Sequence, residues 1–121
     1  MSFGASAYAR TAQTTASPRD IEVQALHKAV RKLQDVMTRW EETDEGLRDA
    51  LMFNRKLWSI FVADALQDQN PAPIEIRENI ANIGIFVMTQ CAALQQKPEV
   101  EALQSLIDIN LNIAAGLSGR G

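Results

Sequence analysis

The 121-residue chain is predicted to be all-α, an up-down bundle of four long helices with a short N-terminal helix or arm. Two observations carry that prediction. Apolar residues recur at steps of three and four through four successive stretches, and no stretch alternates strictly as a half-buried strand would. The breaks between the stretches are only a few residues long and are marked by helix-start chemistry, which favours antiparallel neighbours.

The first long helix is expected near residues 18–41. Ser17-Pro18-Arg19-Asp20 places a capping hydroxyl, then Pro where its missing N–H costs nothing, then an acid in the first turn. Its stripe is Val23, Leu26, Val30, Leu33, Met37 and Trp40. The second helix, near 44–68, opens with the softer signal Thr43-Asp44-Glu45, and its stripe is Leu47, Leu51, Asn54, Trp58, Phe61 and Ala65. The third, near 71–96, follows Asn70-Pro71-Ala72-Pro73 and carries Ile76, Ile80, Ile83, Val87, Cys91 and Leu94. The fourth, near 98–117, follows Lys97-Pro98-Glu99 and carries Val100, Leu103, Ile107, Leu111, Ala114 and Leu117. A helix of about 24 residues is about 36 Å long. Residues 1–16 form the expected arm, Ala-rich and weakly amphipathic, residues 17–117 the bundle domain, and residues 118–121 a flexible tail.

Composition narrows the function. Hydrophobic residues make up 46% of the chain and charged residues 22%, enough apolar material for one core. Twelve basic against fifteen acidic residues give a net charge of −3, unlike a DNA-coating protein. One Cys excludes an intrachain disulfide and one His excludes a His-pair metal site. No P-loop, dinucleotide fingerprint, nucleophile elbow or paired-Cys motif is present, so neither an enzyme nor a cofactor is expected. The longest mostly apolar stretch, Ile80 to Leu94, is too short and too interrupted to span a membrane. The start of the chain lacks a basic region followed by an apolar one, so the expected location is cytoplasmic.

Two helices have more apolar surface than one stripe needs. The second adds Phe53, Leu57 and Ile60, and the fourth adds Leu106, Ile109 and Ile113. Such a surplus fits either an intermolecular surface or cover from the N-terminal arm. The most informative stretch is Asp49 to Phe61, where Leu51, Asn54, Trp58 and Phe61 share a face and Arg55 stands three residues before Trp58, within stacking reach. An Asn in an apolar seam either fixes register or bonds a partner's backbone. Leu51, Asn54, Arg55, Trp58 and Phe61 are thus candidate partner-binding residues, with a structural role as the competing reading. Lys28, Arg31, Lys32 and Arg39 form a modest basic strip, a candidate RNA contact, although residues 17–43 sum to zero charge and no aromatic platform is evident. Cys91, in the third stripe, reads as a small buried hydrophobe.

The segment Ala50-Leu51-x-x-Asn54-Arg55-x-Leu57-Trp58 resembles the FlaF family of alphaproteobacterial flagellar biosynthesis regulators. Tyr8, the helix start Ser17-Pro18-Arg19-Asp20-Ile21-Glu22 and the overall size agree, over roughly residues 3–115. The resemblance implies a partner of flagellin that regulates flagellin synthesis together with FlbT and helps flagellin reach the type III export apparatus. It carries over Tyr8, Asn54, Arg55 and Trp58. The expected mechanism is a flagellin chaperone that buries an amphipathic flagellin helix against helix 44–68 and helix 98–117, with residues 2–15 as a lid over the same groove. Direct binding of flagellin mRNA is the alternative.

Overall fold

The computed structural model describes residues 18–40 and 44–119. It contains four helices: α1 (Pro18–Thr38), α2 (Asp44–Ala65), α3 (Ile74–Gln96) and α4 (Val100–Leu117). They pack as an up-down bundle, and no strand occurs among the described residues. The N-terminal arm, Tyr8 within it, Ser17 and Thr43 lie outside the described residues.

Each helix is shorter than the spacing predicts, for identifiable reasons. At the start of α3 two prolines alternate, and the residue before a proline is steered away from helical backbone. Helix therefore begins only after Pro73, whose own ψ is 148°. Asn70 is not a cap. Its Oδ1 accepts the Ala72 N–H at 2.9 Å, and its Nδ2 donates to the Asp64 carbonyl at 2.9 Å, closing a turn. Arg77 completes the corner by donating from Nε to the Ala65 carbonyl (2.7 Å) and from Nη2 to the Gln67 carbonyl (2.8 Å). That places a cation on the orphan carbonyls ending α2. Likewise α4 starts two residues after Pro98, behind an extended Glu99 (φ −142°, ψ 132°), so Pro98 is not its first helical residue.

The interior follows the predicted stripes closely in α1 and α2. Leu26, Val30 and Leu33 of α1 and Leu47, Leu51, Asn54, Trp58 and Ala65 of α2 are buried. In α3 the stripe is buried only in its second half, at Val87, Cys91 and Leu94, while Ile76 is 55% exposed. In α4 the buried line is Leu103, Leu106, Ile107, Asn110 and Ala114. Leu111, expected inside, is 40% exposed, and Asn110 takes that level of the core.

Neighbouring helices are unequally joined. α2 lies tightly along α3 and α1 along α4, α1 and α2 pack less closely, and α3 and α4 barely touch. Gly84 explains the first of these. A Cβ there would collide with Val62 Cγ2 and sit 3.4 Å from Trp58 Cε3, so only glycine lets the two helices approach this closely.

Candidate partner-binding site

Asn54 and Trp58 stand one turn apart on α2, and both side chains are fully buried. The Trp58 indole N–H donates to Asn110 Oδ1 at 2.8 Å. Asn110 Nδ2 donates to Asn54 Oδ1 at 2.8 Å, and Asn54 Nδ2 donates to Cys91 Sγ at 3.4 Å. The ladder runs from α2 to α4, back to α2 and on to α3. It joins α2 and α4, which are diagonal to each other with no close backbone approach. No buried side-chain N or O among the described residues lacks a partner. Burial pushes the Cys91 thiol pKa up, an effect that the Asn54 hydrogen bond and the Arg55 charge partly offset.

Apolar spacing alone does not single out Asn110. Spacing of apolar residues places Leu111 in the stripe equally well, and an Asn is invisible to that criterion. The available signal was the Trp, since a buried indole N–H needs an acceptor and the line Leu103, Ile107, Asn110, Ala114 supplies one at helical spacing.

The candidate residues therefore separate. Leu51, Asn54 and Trp58 show no exposed surface. Phe61 is half-buried, with its ring edge-on to Trp58 (centroids 5.2 Å apart, 84° between planes), and it lines an open cleft. Arg55 is exposed, and the ring that meets Trp58 is Phe61. In the basic strip Lys28 and Lys32 each hold their ammonium 5.4 Å from the Phe53 ring centre. Lys32 also pairs with Asp49 at 2.8 Å, and Arg39 pairs with Asp35. The aromatic group near the strip is thus covered by lysines.

The surplus apolar surface is spent differently from the expectation. Leu57 and Leu106 are core residues. Ile109 and Ile113 of α4 instead face Ile83 and Phe86 of α3 across the loose seam, with Asn82 and Asn112 on its rim, around a cleft of about 330 Å³. This cleft shares Ile113 with a larger one of about 740 Å³ at the end of the bundle. Its lining includes the apolar Phe61, Ile76, Ile80 and Leu117 together with Pro18, Arg19, Glu22 and Asp64. The Glu22 carboxyl is pushed above its ordinary pKa by burial and by Asp64, with Arg19 offsetting part of the shift. Both clefts lie against α3 and α4. The surface of α3 adds Ile74, Ile85 and Phe86, all substantially exposed. Among the described residues no group of three His, Cys, Asp or Glu side chains could hold a metal ion, and no helix is long and apolar enough to cross a membrane.

The described residues thus form an all-α up-down bundle with an amide ladder in its interior and an apolar cleft between α3 and α4. The family model for flagellar protein FlaF matches residues 4–117. The chain belongs to that family, as the Asn54-Arg55-x-Leu57-Trp58 segment led one to expect. No curated protein and no solved structure matches the chain.

Proposed function

We propose that this flagellar protein is a chaperone and regulator of flagellin, holding an amphipathic flagellin helix in the groove between α3 and α4. The observation that carries the reading is the open seam. Among the described residues, Ile83, Phe86, Ile109 and Ile113 line an apolar cleft between two helices that barely touch. A helix laid there buries its apolar stripe against two helices at once, in the manner of helix-in-groove recognition. A flagellin helix so held is unavailable for premature self-assembly before export. FlbT and the export apparatus are the further partners in this reading.

The groove replaces the α2 face as the docking surface, because Leu51, Asn54 and Trp58 are already engaged in the core. Their role is to hold α3 and α4 at the separation that leaves the seam open. Phe61 alone of the α2 candidates reaches the cleft. Direct mRNA binding has less support, since Lys28, Lys32 and Arg39 are occupied within the chain.

Size exclusion of the purified protein with full-length flagellin, and with flagellin lacking either terminal region, tests the reading. The expected result is a 1:1 complex lost with one truncation and little changed between low and moderate salt. Absence of any complex with full-length flagellin would overturn it. A flagellin-mRNA affinity that falls steeply with salt would favour the alternative.

A further inference from the structure

We propose that the outward face of α3 is a self-association surface, on which a second copy of this chain lays its own α3 antiparallel about a two-fold axis between Ile85 and Phe86. This contact stands apart from the flagellin reading, because it uses the face of α3 turned away from the bundle. Asn82 and Phe86 are where that face meets the cleft.

Composition marks the face. From Asn79 to Gln96, α3 carries no charged residue. Its exposed positions there include Asn82, Ile85, Phe86, Thr89, Ala92 and Ala93, and Ile85 is 58% exposed. The exposed faces of the neighbouring elements differ. α1 shows Lys28 and Arg31 to solvent, α2 shows Arg55 and Lys56, and α4 shows Glu101 and Asp108. A surface helix ordinarily carries charges opposite its core stripe, and an exposed face that replaces them with large apolar groups marks a contact surface. Asn82, Ile85, Thr89 and Ala92 follow one another at steps of three and four, the line along which a second helix packs.

Charge selects the occupant. Among the described residues, the charges on this face stand at its two ends. Glu75 and Glu78 lie in the first two turns of α3, and Lys97 follows directly after the last. Within its own chain Lys97 meets Glu99 at 3.8 Å, with its side chain 83% exposed. An antiparallel second copy brings the acids of each α3 to the Lys97 end of the other and sets the two helix dipoles in opposition. Parallel copies would set acid against acid.

The middle is self-complementary in the same register. Ile85 comes level with Phe86 of the second copy, Asn82 with Thr89, Glu78 with Ala93, and Glu75 with Gln96, one residue short of Lys97. Four apolar side chains thus meet at the axis. On each side an amide faces a hydroxyl with which it forms a hydrogen bond. An apolar centre, a polar rim and opposite charges at the ends is the layout of a protein–protein contact. An anionic lipid surface fits poorly, because the face carries acids and no basic residue before Lys97.

The test uses the full chain alone. Sedimentation equilibrium should show a reversible monomer–dimer equilibrium. Ile85→Glu sets like charges beside the axis and should weaken the dimer at least tenfold, with the circular dichroism of the parent retained because this side chain is already exposed. Glu75→Lys and Lys97→Glu should each weaken it several-fold, and the two together should recover most of the loss. Single cysteines read the orientation, since the native Cys91 is buried. Mild oxidation should join two copies through Ile85→Cys and not through Ala92→Cys, whose two positions stand about 20 Å apart along the antiparallel pair at about 1.5 Å per residue. A chain monomeric at every concentration, a dimer indifferent to Ile85→Glu, no recovery in the double charge exchange, or equal cross-linking at both positions would each overturn the proposal. A monomer whose Ile85→Glu variant loses flagellin instead would also overturn it and give the face to flagellin.

Discussion

The interior of the bundle along α2 and the seam between α3 and α4 are built from similar residues and end in opposite states. Along α2, every apolar position of the stripe but Phe61 is closed off, and the two polar needs there, an indole N–H and an amide, are met by Asn110 and Cys91. Along the seam, isoleucines face one another across a gap, with asparagines on the rim and no cross-seam bond between them. The difference comes from backbone spacing. Gly84 lets α3 lie close against α2, whereas α3 and α4 barely touch. α3 thus fits closely on one side and loosely on the other.

Four substitutions break or sharpen this contrast. The largest effect is expected for Asn110→Leu. It strands the Trp58 N–H and the Asn54 carbonyl oxygen inside the core, each costing about 1–3 kcal/mol. Chemical denaturation should show a loss of at least about 2 kcal/mol. A loss no larger than that of an exposed substitution would mean the ladder contributes little. Next, Gly84→Ala forces α3 away from Val62, with an expected destabilisation of about 1–3 kcal/mol by overpacking. Its sharper readout is the seam, because moving α3 outward should alter solvent protection at Ile83 and Ile109 in hydrogen exchange. Phe86→Ser belongs to the open side. Phe86 is 46% exposed, so stability should fall by under about 1 kcal/mol, while the affinity for flagellin, measured by titration calorimetry, drops at least tenfold. Unchanged affinity would remove Phe86 from the docking surface.

The smallest effect concerns Glu22. Its folded pKa is raised, so folding favours the protonated acid. That contribution is fully present below the ordinary carboxylate pKa and is lost as pH rises through the folded value. Glu22→Gln stays neutral throughout. Thermal melts should show the variant gaining on the parent between acid and neutral pH, and a difference that does not vary with pH would contradict the burial of this carboxyl.

Much of this architecture was legible in the residues. Steps of three and four located all four helices, and the placement of Leu51, Asn54 and Trp58 on one face of α2 was correct. Helix ends were less legible, since Asn70 reads as a cap until the second proline at 73 forces it into a turn instead. Asn110 escaped because an apolar criterion prefers Leu111 one position on. The open seam escaped for a deeper reason. Ile83, Ile109 and Ile113 would look identical in sequence whether α3 and α4 touched or not, and the distance between two helices is decided by a third. A lone glycine in an apolar helix was the available hint, and it points to α2 only once the fold is known.

The amide ladder has a sense of direction. An indole can give a proton and cannot take one, so Trp58 compels Asn110 to present its oxygen, which compels Asn54 to present its own, and the leftover amine ends on sulfur. Exchange of that indole for a phenyl ring would leave both carboxamides free to rotate by half a turn, with two arrangements of nearly equal energy. The domain would then forfeit its single-mindedness before its cohesion, and paired amide resonances for residues 54 and 110 would be the mark of it.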